Sequence, residues 1–229
     1  MSDAARARIL GAIRRSLGRE PDGNAVAARL GAHEPGPLPA RGRRDAEGRI
    51  ALFVAMAEEV SASIARVGAP EDVPGAIAAY LGEHNLPAKA ARAPDPALDI
   101  IPWDARPLLS LRRGPAQADD AAGITGAFAG IAETGTLMLV SGAEHPSTLN
   151  FLPDTHIVVV NCGQVVGTYE EGWARLRARD GSMPRTVAFV TGPSRTADIE
   201  QTIHLGAHGP RRLHIVLVDG DGGQTNQKP

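Results

Sequence analysis

The chain contains a single cysteine, Cys162, among its 229 residues. One thiol cannot form an internal disulfide, and it cannot supply the four thiolates of a self-contained iron–sulfur cluster or zinc site. We therefore expect no cofactor and no metal site in this chain. Because Cys162 lies near the end of a predicted apolar strand, we interpret it as an inert core residue rather than a nucleophile.

Aromatic residues are scarce, at 3% of the chain, so most of the core must be aliphatic. No stretch approaches the roughly 20 apolar residues of a membrane span, and the N-terminus lacks the apolar centre of a signal peptide. These absences predict a cytoplasmic protein. The 24 Lys and Arg residues against 26 Asp and Glu give a formal charge of −2, which provides no overall attraction for nucleic acid or an anionic membrane.

Several sequence signatures of enzyme sites are also missing. No Gly-x-Gly-x-x-Gly segment opens a helix and no Gly-x-x-x-x-Gly-Lys-Ser/Thr loop is present, so neither a dinucleotide nor a nucleoside triphosphate site is predicted. Ser141 lacks the preceding small residues of a hydrolase elbow, which disfavours hydrolysis. His204 and His208 have the spacing of helical zinc ligands, but Gly206 and Gly209 interrupt the helix that such a site would need.

Composition divides the chain into four segments. Residues 1–20 hold apolar side chains at helical spacing and predict a short amphipathic helix, whereas residues 21–45 are rich in Pro, Gly and Arg and predict a flexible linker. Residues 46–220 are expected to form the main domain, followed by a polar tail over residues 221–229. The N-terminal helix either packs on its own domain or docks onto another subunit, and the pattern is compatible with both.

The main domain shows continuous apolar runs that alternate with helical patterns. Helices are expected at residues 46–67, 73–83, 169–179 and 196–205. Strands are expected at residues 88–91, 98–101, 108–111, 136–140, 156–160, 186–190 and 213–218. Strands without polar alternation are usually buried on both faces. The sequence therefore predicts an α/β fold with an open, mostly parallel, doubly wound sheet, Rossmann-like in outline, behind an N-terminal helical arm.

An acidic turn, residues 132–136, leads directly into the predicted strand 136–140. It places the carboxylate of Glu133 beside two threonine hydroxyls and a glycine, a polar cluster of the kind that α/β proteins place at strand ends. A glutamate next to a buried strand pairs with a cation, binds backbone amides, or acts as a base or nucleophile. Glu133 is thus a candidate catalytic residue, and a structural carboxylate that fixes the turn is the alternative.

A glycine turn follows the predicted strand 186–190 and precedes the predicted helix 196–205. Backbone amides at such a helix N-terminus can bind an anion, and Arg195 is placed to clamp it. The alternative is ordinary capping, with Ser194 or Thr196 as the N-cap and an aspartate complementing the helix dipole. Over both motifs, the predicted residues for binding a substrate or anion are Thr134, Gly135, Thr136, Gly192, Ser194, Arg195, Thr196 and Asp198.

His208 lies in a glycine and proline turn, residues 206–210, before the last predicted strand. As a turn residue near the strand ends, it is a candidate to orient a ligand or donate a proton, or it only bonds a backbone carbonyl. With Glu133 as base or nucleophile and Arg195 on a small anionic ligand, His208 completes the predicted site.

The order and spacing of five motifs resemble the LUD domain of lactate utilisation protein C. The matching segments are residues 123–126, 131–136, 152–153, 191–200 and 206–210. The resemblance covers roughly residues 45–220, and it implies a fold similar to ribose-5-phosphate isomerases, glucosamine-6-phosphate isomerases and CoA transferases. In CoA transferases a glutamate attacks the thioester, and by this fold analogy Glu133 is its counterpart.

The resemblance implies a bacterial system in which this chain, without clusters of its own, works with iron–sulfur partner proteins to oxidise L-lactate to pyruvate. In that system the chain is a cluster-free subunit and its N-terminal helix is a docking element. The alternative is a stand-alone enzyme that acts on a small organic acid, sugar phosphate or CoA thioester through Glu133. Missing flavin and nicotinamide signatures favour the subunit, whereas the Glu, Arg and His set at predicted strand ends favours the enzyme.

Overall fold

The structure, a computed structural model, describes residues 2–18, 22–179, 181–199 and 202–219. Of residues 196–199 and 202–204 only the backbone is described. The predicted polar tail at residues 221–229 and Glu200 of the second motif lie outside the described residues. Two compact units make up the chain, Met1–Pro37 and Leu38–Pro229.

The first unit holds two helices, α1 at Asp3–Leu17 and α2 at Gly23–Ala32. The Ser2 hydroxyl caps the start of α1, and Gly18 follows its end with a left-handed φ of 62°. The predicted N-terminal helix is therefore present. The predicted linker is in part helical, because the Asp22 carboxylate caps α2 and the alanines within α2 favour the helical conformation.

The second unit contains further helices and all of the strands that the structure describes. Its helices are α3 at Ala46–Glu59, α4 at Val73–Glu83, α5 at Pro96–Asp99, α6 at Thr148–Phe151 and α7 at Tyr169–Arg177. Its strands are β1 at Ser63–Val67, β2 at Lys89–Arg92, β3 at Ser110–Arg113, β4 at Ala122–Gly126, β5 at Ala129–Ile131, β6 at Thr136–Val140, β7 at Thr155–Asn161, β8 at Val165–Val166, β9 at Val187–Val190, β10 at Arg195–Ile199, β11 at Thr202–Leu205 and β12 at Arg212–Val218. Within the described ranges, no helix combines the length and apolar character needed to cross a membrane.

The central sheet contains six strands in the order β1-β12-β7-β4-β2-β3, and every neighbouring pair is parallel. Helix α4 packs on one face of this sheet, where Ile77 and Ile157 share a buried cluster. Helix α3 packs on the other face, where Phe53 and Val158 belong to a second cluster. This arrangement confirms the predicted α/β fold with a mostly parallel sheet between helices.

A second sheet, in the order β8-β5-β6-β9, takes up two of the strands that we expect in the central sheet. Strand β6 is antiparallel to both β5 and β9. Its side chains nevertheless lie in two different buried clusters, with Leu137 in the cluster of α3 and Met138 in a third cluster that includes α7 residue Leu176. A continuous apolar run therefore indicates that both faces of the strand pack against other elements, but it does not indicate whether the strand is parallel or antiparallel to its neighbours.

Two predicted elements have the wrong bounds or type. The helix expected over residues 46–67 ends with α3 at Glu59, because Ser61 takes a left-handed φ of 68° and residues 63–67 then pair with β12 as strand β1. The strand expected over residues 98–101 overlaps α5, since the Asp95 carboxylate accepts from the Ala97 amide and caps that short helix.

The helix expected over residues 196–205 is also wrong. Strands β10 and β11 form an antiparallel hairpin there, with Arg195 opposite Leu205 and Thr196 opposite His204. Several residues of this segment are β-branched, which favours extended backbone over helix. The glycine turn at residue 192 therefore does not lead into a helix N-terminus, and that geometric basis for an anion site is absent from the described residues.

Candidate functional site

Glu133 lies in the turn between β5 and β6, and its residue surface is only 4% exposed. Its Oε1 accepts a hydrogen bond of 2.9 Å from the backbone N–H of Tyr169, the first residue of α7. The carboxylate thus lies at the positive end of the α7 dipole and bonds an amide that has no acceptor within its own helix. This contact is the one expected of a structural carboxylate that fixes the turn, while a role as base or nucleophile stays a prediction.

The two threonines of the acidic turn belong to a network of hydroxyl groups. Thr134 Oγ1 lies 2.7 Å from Thr136 Oγ1 and donates to the Tyr169 hydroxyl at 3.0 Å. Thr136, which is fully buried, also lies 2.7 Å from the hydroxyl of Thr191, just after β9. The hydroxyls satisfy one another, so the network joins the acidic turn to α7 and to the start of the second motif.

Gly135 and Gly192 hold the two motifs against the C-terminal end of α3. Gly135 has φ 63°, and a Cβ there would lie 2.2 Å from the Ala57 backbone nitrogen. Gly192 has φ 74°, and a Cβ there would lie 2.4 Å from the Val60 carbonyl oxygen. Arg195 Nη2 donates to the same carbonyl at 2.7 Å, so at least one guanidinium nitrogen supports the end of a helix.

His208 and Ser194 lie together, as we expect for residues of one site. The Ser194 hydroxyl accepts from the His208 backbone amide at 3.2 Å. Both residues line a cavity of about 250 Å³, here called the histidine cavity, together with Gly192, Arg195 and Thr191. The structure thus gathers four of the predicted residues around one cavity. Glu133, Thr134, Gly135 and Thr136 are not among its lining residues, and the side chains of Thr196 and Asp198 lie outside the described residues.

His156, a residue that the sequence analysis does not single out, also lines the histidine cavity. It is fully buried on β7, and its Nε2 lies 2.8 Å from the hydroxyl of Thr125 on β4. Its Nδ1 has no hydrogen-bond partner among the described residues. Burial lowers the pKa of His156 to about 3, so the ring is neutral at physiological pH. The one signal in the sequence is a histidine at the start of an apolar strand, which is common in cores.

A second cavity, of about 280 Å³ and here called the arginine cavity, adjoins the first. Asn150 lines both cavities, and Thr125, the partner of His156, lines the second. The main polar residues of the arginine cavity are Asp95, Thr125, His145, Asn150, Arg175 and Arg179. None of these is predicted as a site residue, because they come from five separate parts of the chain that only the fold brings together.

Cys162 lies after β7 and is partly buried. Burial and a nearby carboxylate, Asp219, raise the pKa of its thiol to about 12. The thiol therefore stays protonated at neutral pH, which disfavours it as a nucleophile. Among the described residues, no group of three or more His, Cys, Asp or Glu side chains is arranged to hold a metal ion.

The contacts of Glu133 lead to a prediction about stability. Glu133→Ala is expected to lower the free energy of unfolding by about 1–3 kcal/mol, because the Tyr169 amide loses its buried acceptor. Glu133→Gln keeps an acceptor oxygen and loses only the interaction of the charge with the helix dipole, about 0.3–1 kcal/mol. Urea denaturation measures both changes, and Glu144→Ala, at an exposed position, is the matched control. Equal stability of Glu133→Ala and the wild type would contradict the capping role.

Comparison with known proteins relates this geometry to a family. The LUD domain family model matches residues 50–218. Lactate utilization protein C from Deinococcus radiodurans is 38% identical over 168 residues, which cover 70% of this chain and 74% of that protein. A protein of the same name from Geobacillus sp. strain WCH70 is 32% identical over 129 residues, with 55% of this chain and 52% of that protein covered.

Two further proteins extend the comparison. An uncharacterized protein from Neisseria meningitidis serogroup B is 40% identical over 97 residues, and the match spans 42% of its length. The crystal structure of a DUF162 family protein from Deinococcus radiodurans has a TM-score of 0.58 and 27% identity, and covers 80% of this chain and 99% of that chain. The chain thus spans about half or less of the Neisseria and Geobacillus relatives and about three quarters of the Deinococcus relative. On the match over residues 50–218, this chain belongs to the LUD domain family.

Proposed function

We propose that this chain is the cluster-free component of a bacterial lactate utilisation system, which oxidises L-lactate to pyruvate together with iron–sulfur partner proteins. The observation that carries the proposal is the match to lactate utilization protein C of Deinococcus radiodurans, 38% identical over 74% of that protein. The names of several relatives support a role in lactate utilisation. The reaction, the partners and the division of labour among them are our inference.

The cysteine content of the chain supports the placement of the redox groups on partner proteins. Oxidation of lactate releases two electrons, which a redox group must accept. Cys162 is the one cysteine of the chain, and a single thiol cannot bind an iron–sulfur cluster by itself. We therefore place the electron-accepting clusters on partner proteins. We infer that this chain binds a small anion in its two adjoining cavities.

Helix α1 supports the docking of a partner. Ile9, Ile13 and Leu17 recur every four residues on α1, and each side chain is roughly half exposed. An exposed apolar stripe on a helix is the kind of surface that a second protein covers. We infer that this stripe contacts another component of the lactate utilisation system.

The alternative, a stand-alone enzyme with Glu133 as nucleophile, receives less support from the geometry. The Glu133 carboxylate is bonded to the start of α7, and it lines neither the histidine cavity nor the arginine cavity. A nucleophile must reach the substrate carbon directly. The subunit proposal does not require Glu133 to contact the substrate.

The test is L-lactate-dependent dye reduction in extracts of the source bacterium after deletion of this gene. We expect the activity to be lost on deletion and recovered when the full chain is expressed again. Re-expression of Cys162→Ser is expected to restore the wild-type rate, because the thiol carries no cluster in this account. Unchanged activity after deletion would refute the proposal, and an inactive but folded Cys162→Ser protein would refute its cluster-free part.

A further inference from the structure

Asn150, on helix α6, has a side chain that is placed to bind a ligand. The residue is only 7% exposed, and it lines both the histidine cavity and the arginine cavity. No hydrogen bond joins its side-chain amide to another described residue, although its backbone amide bonds Ser147. Its donor and acceptor groups are therefore available to a molecule in the cavity.

A carboxylate and a histidine lie next to each other in the lining of the arginine cavity. Asp95 Oδ1 is held by the Ala97 amide at 2.9 Å, and its Oδ2 lies 3.6 Å from His145 Nδ1. Gly126 leaves room for this carboxylate, because a Cβ there would lie 2.7 Å from Asp95 Oδ2. Asp95 thus holds a fixed position at 7% exposure and can orient the partly exposed imidazole of His145.

Two arginines add positive charge to the same cavity. Arg175 lies in the last turn of α7, and Arg179 follows four residues later, just beyond the end of that helix. Arg175 Nη1 donates to the Gly163 carbonyl at 3.3 Å, and Arg179 Nη2 donates to the Ser182 carbonyl at 3.3 Å. Each guanidinium carries five N–H donors, so several stay available to an anion. With one carboxylate against two guanidinium groups, the cavity favours a small anion.

We propose that the arginine cavity binds a small 2-hydroxy or 2-oxo carboxylate, and this choice of acid rests on the proposed function. Arg175 and Arg179 bind the carboxylate group of the ligand. The Asn150 amide and the His145 imidazole bond the oxygen on the second carbon, and Asp95 is a positioning residue that orients His145. At about 280 Å³ the cavity has room for a three-carbon acid with its bound water.

The histidine cavity is the weaker place for such an acid. Its arginine, Arg195, already donates to the Val60 carbonyl at 2.7 Å, and much of its lining is apolar, including Phe189, Val190 and Leu213. A carboxylate placed there would lose its hydrogen bonds to water and would gain mainly apolar contacts. The one guanidinium available to it, that of Arg195, already donates to a backbone carbonyl. The arginine cavity offers two guanidinium groups instead.

Isothermal titration of the full purified chain with L-lactate, pyruvate, propionate and inorganic phosphate tests the proposal. L-Lactate and pyruvate are expected to bind about tenfold more tightly than propionate, which lacks the second oxygen. Arg175→Ala and Arg179→Ala are each expected to weaken binding of L-lactate by about tenfold. Asn150→Ala is expected to reduce the preference for L-lactate over propionate, because one of the two proposed contacts to the oxygen on the second carbon is lost. Arg177→Ala, on the same helix but outside the cavity lining, is the matched control and should bind as the wild type does.

The outcomes separate this inference from the proposed function. No binding of L-lactate or pyruvate, equal binding of propionate, preferential binding of phosphate, or equal loss in Arg177→Ala would each overturn the cavity assignment. If the acids bind as expected but gene deletion leaves lactate oxidation unchanged, the lactate utilisation proposal fails and the cavity assignment stands. If deletion abolishes lactate oxidation and no acid binds, the cavity assignment fails and the lactate utilisation proposal stands. Thermal melting of each variant checks that it is folded.

Discussion

Gly135→Ala is expected to destabilise the second unit by more than about 4 kcal/mol, enough to leave little folded protein. The residue has φ 63°, which an alanine adopts only under strain. An added Cβ would lie 2.2 Å from the Ala57 nitrogen and 2.5 Å from the Met56 carbonyl carbon. Both atoms belong to the backbone of α3, so relief would require α3 to move away from the buried cluster around Phe53.

Urea denaturation followed by circular dichroism measures this effect. The matched control is Gly82→Ala, at a position within α4 where no atom lies within 4 Å of an added Cβ. We expect that control to raise stability by about 0.5–1 kcal/mol, because alanine favours the helix. A Gly135→Ala protein as stable as the wild type would show that the acidic turn does not pack closely against α3.

The second large effect is a loss of stability in acid, caused by two buried histidines. Burial lowers the pKa of His156 to about 3 and that of His214 to about 4. In the unfolded chain both rings titrate near about 6.5. The unfolded state therefore takes up protons first, and stability that is present above about pH 6.5 falls as the pH approaches about 4 and then about 3.

Between pH 7 and pH 5 each histidine is expected to contribute about 2 kcal/mol to this loss, or about 4 kcal/mol together. Urea midpoints at the two pH values measure it. His156→Gln removes one titrating ring, so its loss between pH 7 and pH 5 should be about half that of the wild type, whatever its stability at pH 7. His33→Gln, at an exposed position, should keep the full loss. An unchanged loss in His156→Gln would contradict this account.

The fold was predictable where a long apolar run alone decides the structure. The runs that form β6, β7, β9 and β12 are predictable because side chains on both faces of each strand pack against a buried cluster, although β9 itself is only partly buried. The division of the strands into two sheets is not predictable from the sequence, since it depends on which strands pair and in which direction. The β10–β11 hairpin is not predictable from the sequence either, because residues 196–205 carry apolar side chains at spacings that fit a helix as well as a strand.

The predicted site illustrates a different limit. Both predicted motifs hold the C-terminal end of α3, while their roles in binding or catalysis stay predictions. Gly135 packs against Ala57, while Gly192 and Arg195 contact Val60. Residue type and spacing do not distinguish a glycine that admits a ligand from one that admits a neighbouring helix.

The arginine cavity is not predictable from the sequence, because its lining residues belong to separate elements that come together only in the fold. Asp95 follows β2, His145 follows β6, and Arg175 belongs to α7, so no short motif contains any two of them. Parallel strands bring the loops at their ends together only after the sheet forms. Such a constellation can be read from one sequence only when the strand order is already known.

We propose that the acidic turn supports the fold, whereas the arginine cavity binds the acid. The most direct test is L-lactate-dependent dye reduction in the deletion strain re-expressing Glu133→Gln or the double variant Arg175→Ala/Arg179→Ala, both at wild-type protein levels. The account predicts that Glu133→Gln restores the wild-type rate and that the double variant does not. An inactive, folded Glu133→Gln protein beside an active double variant would contradict it.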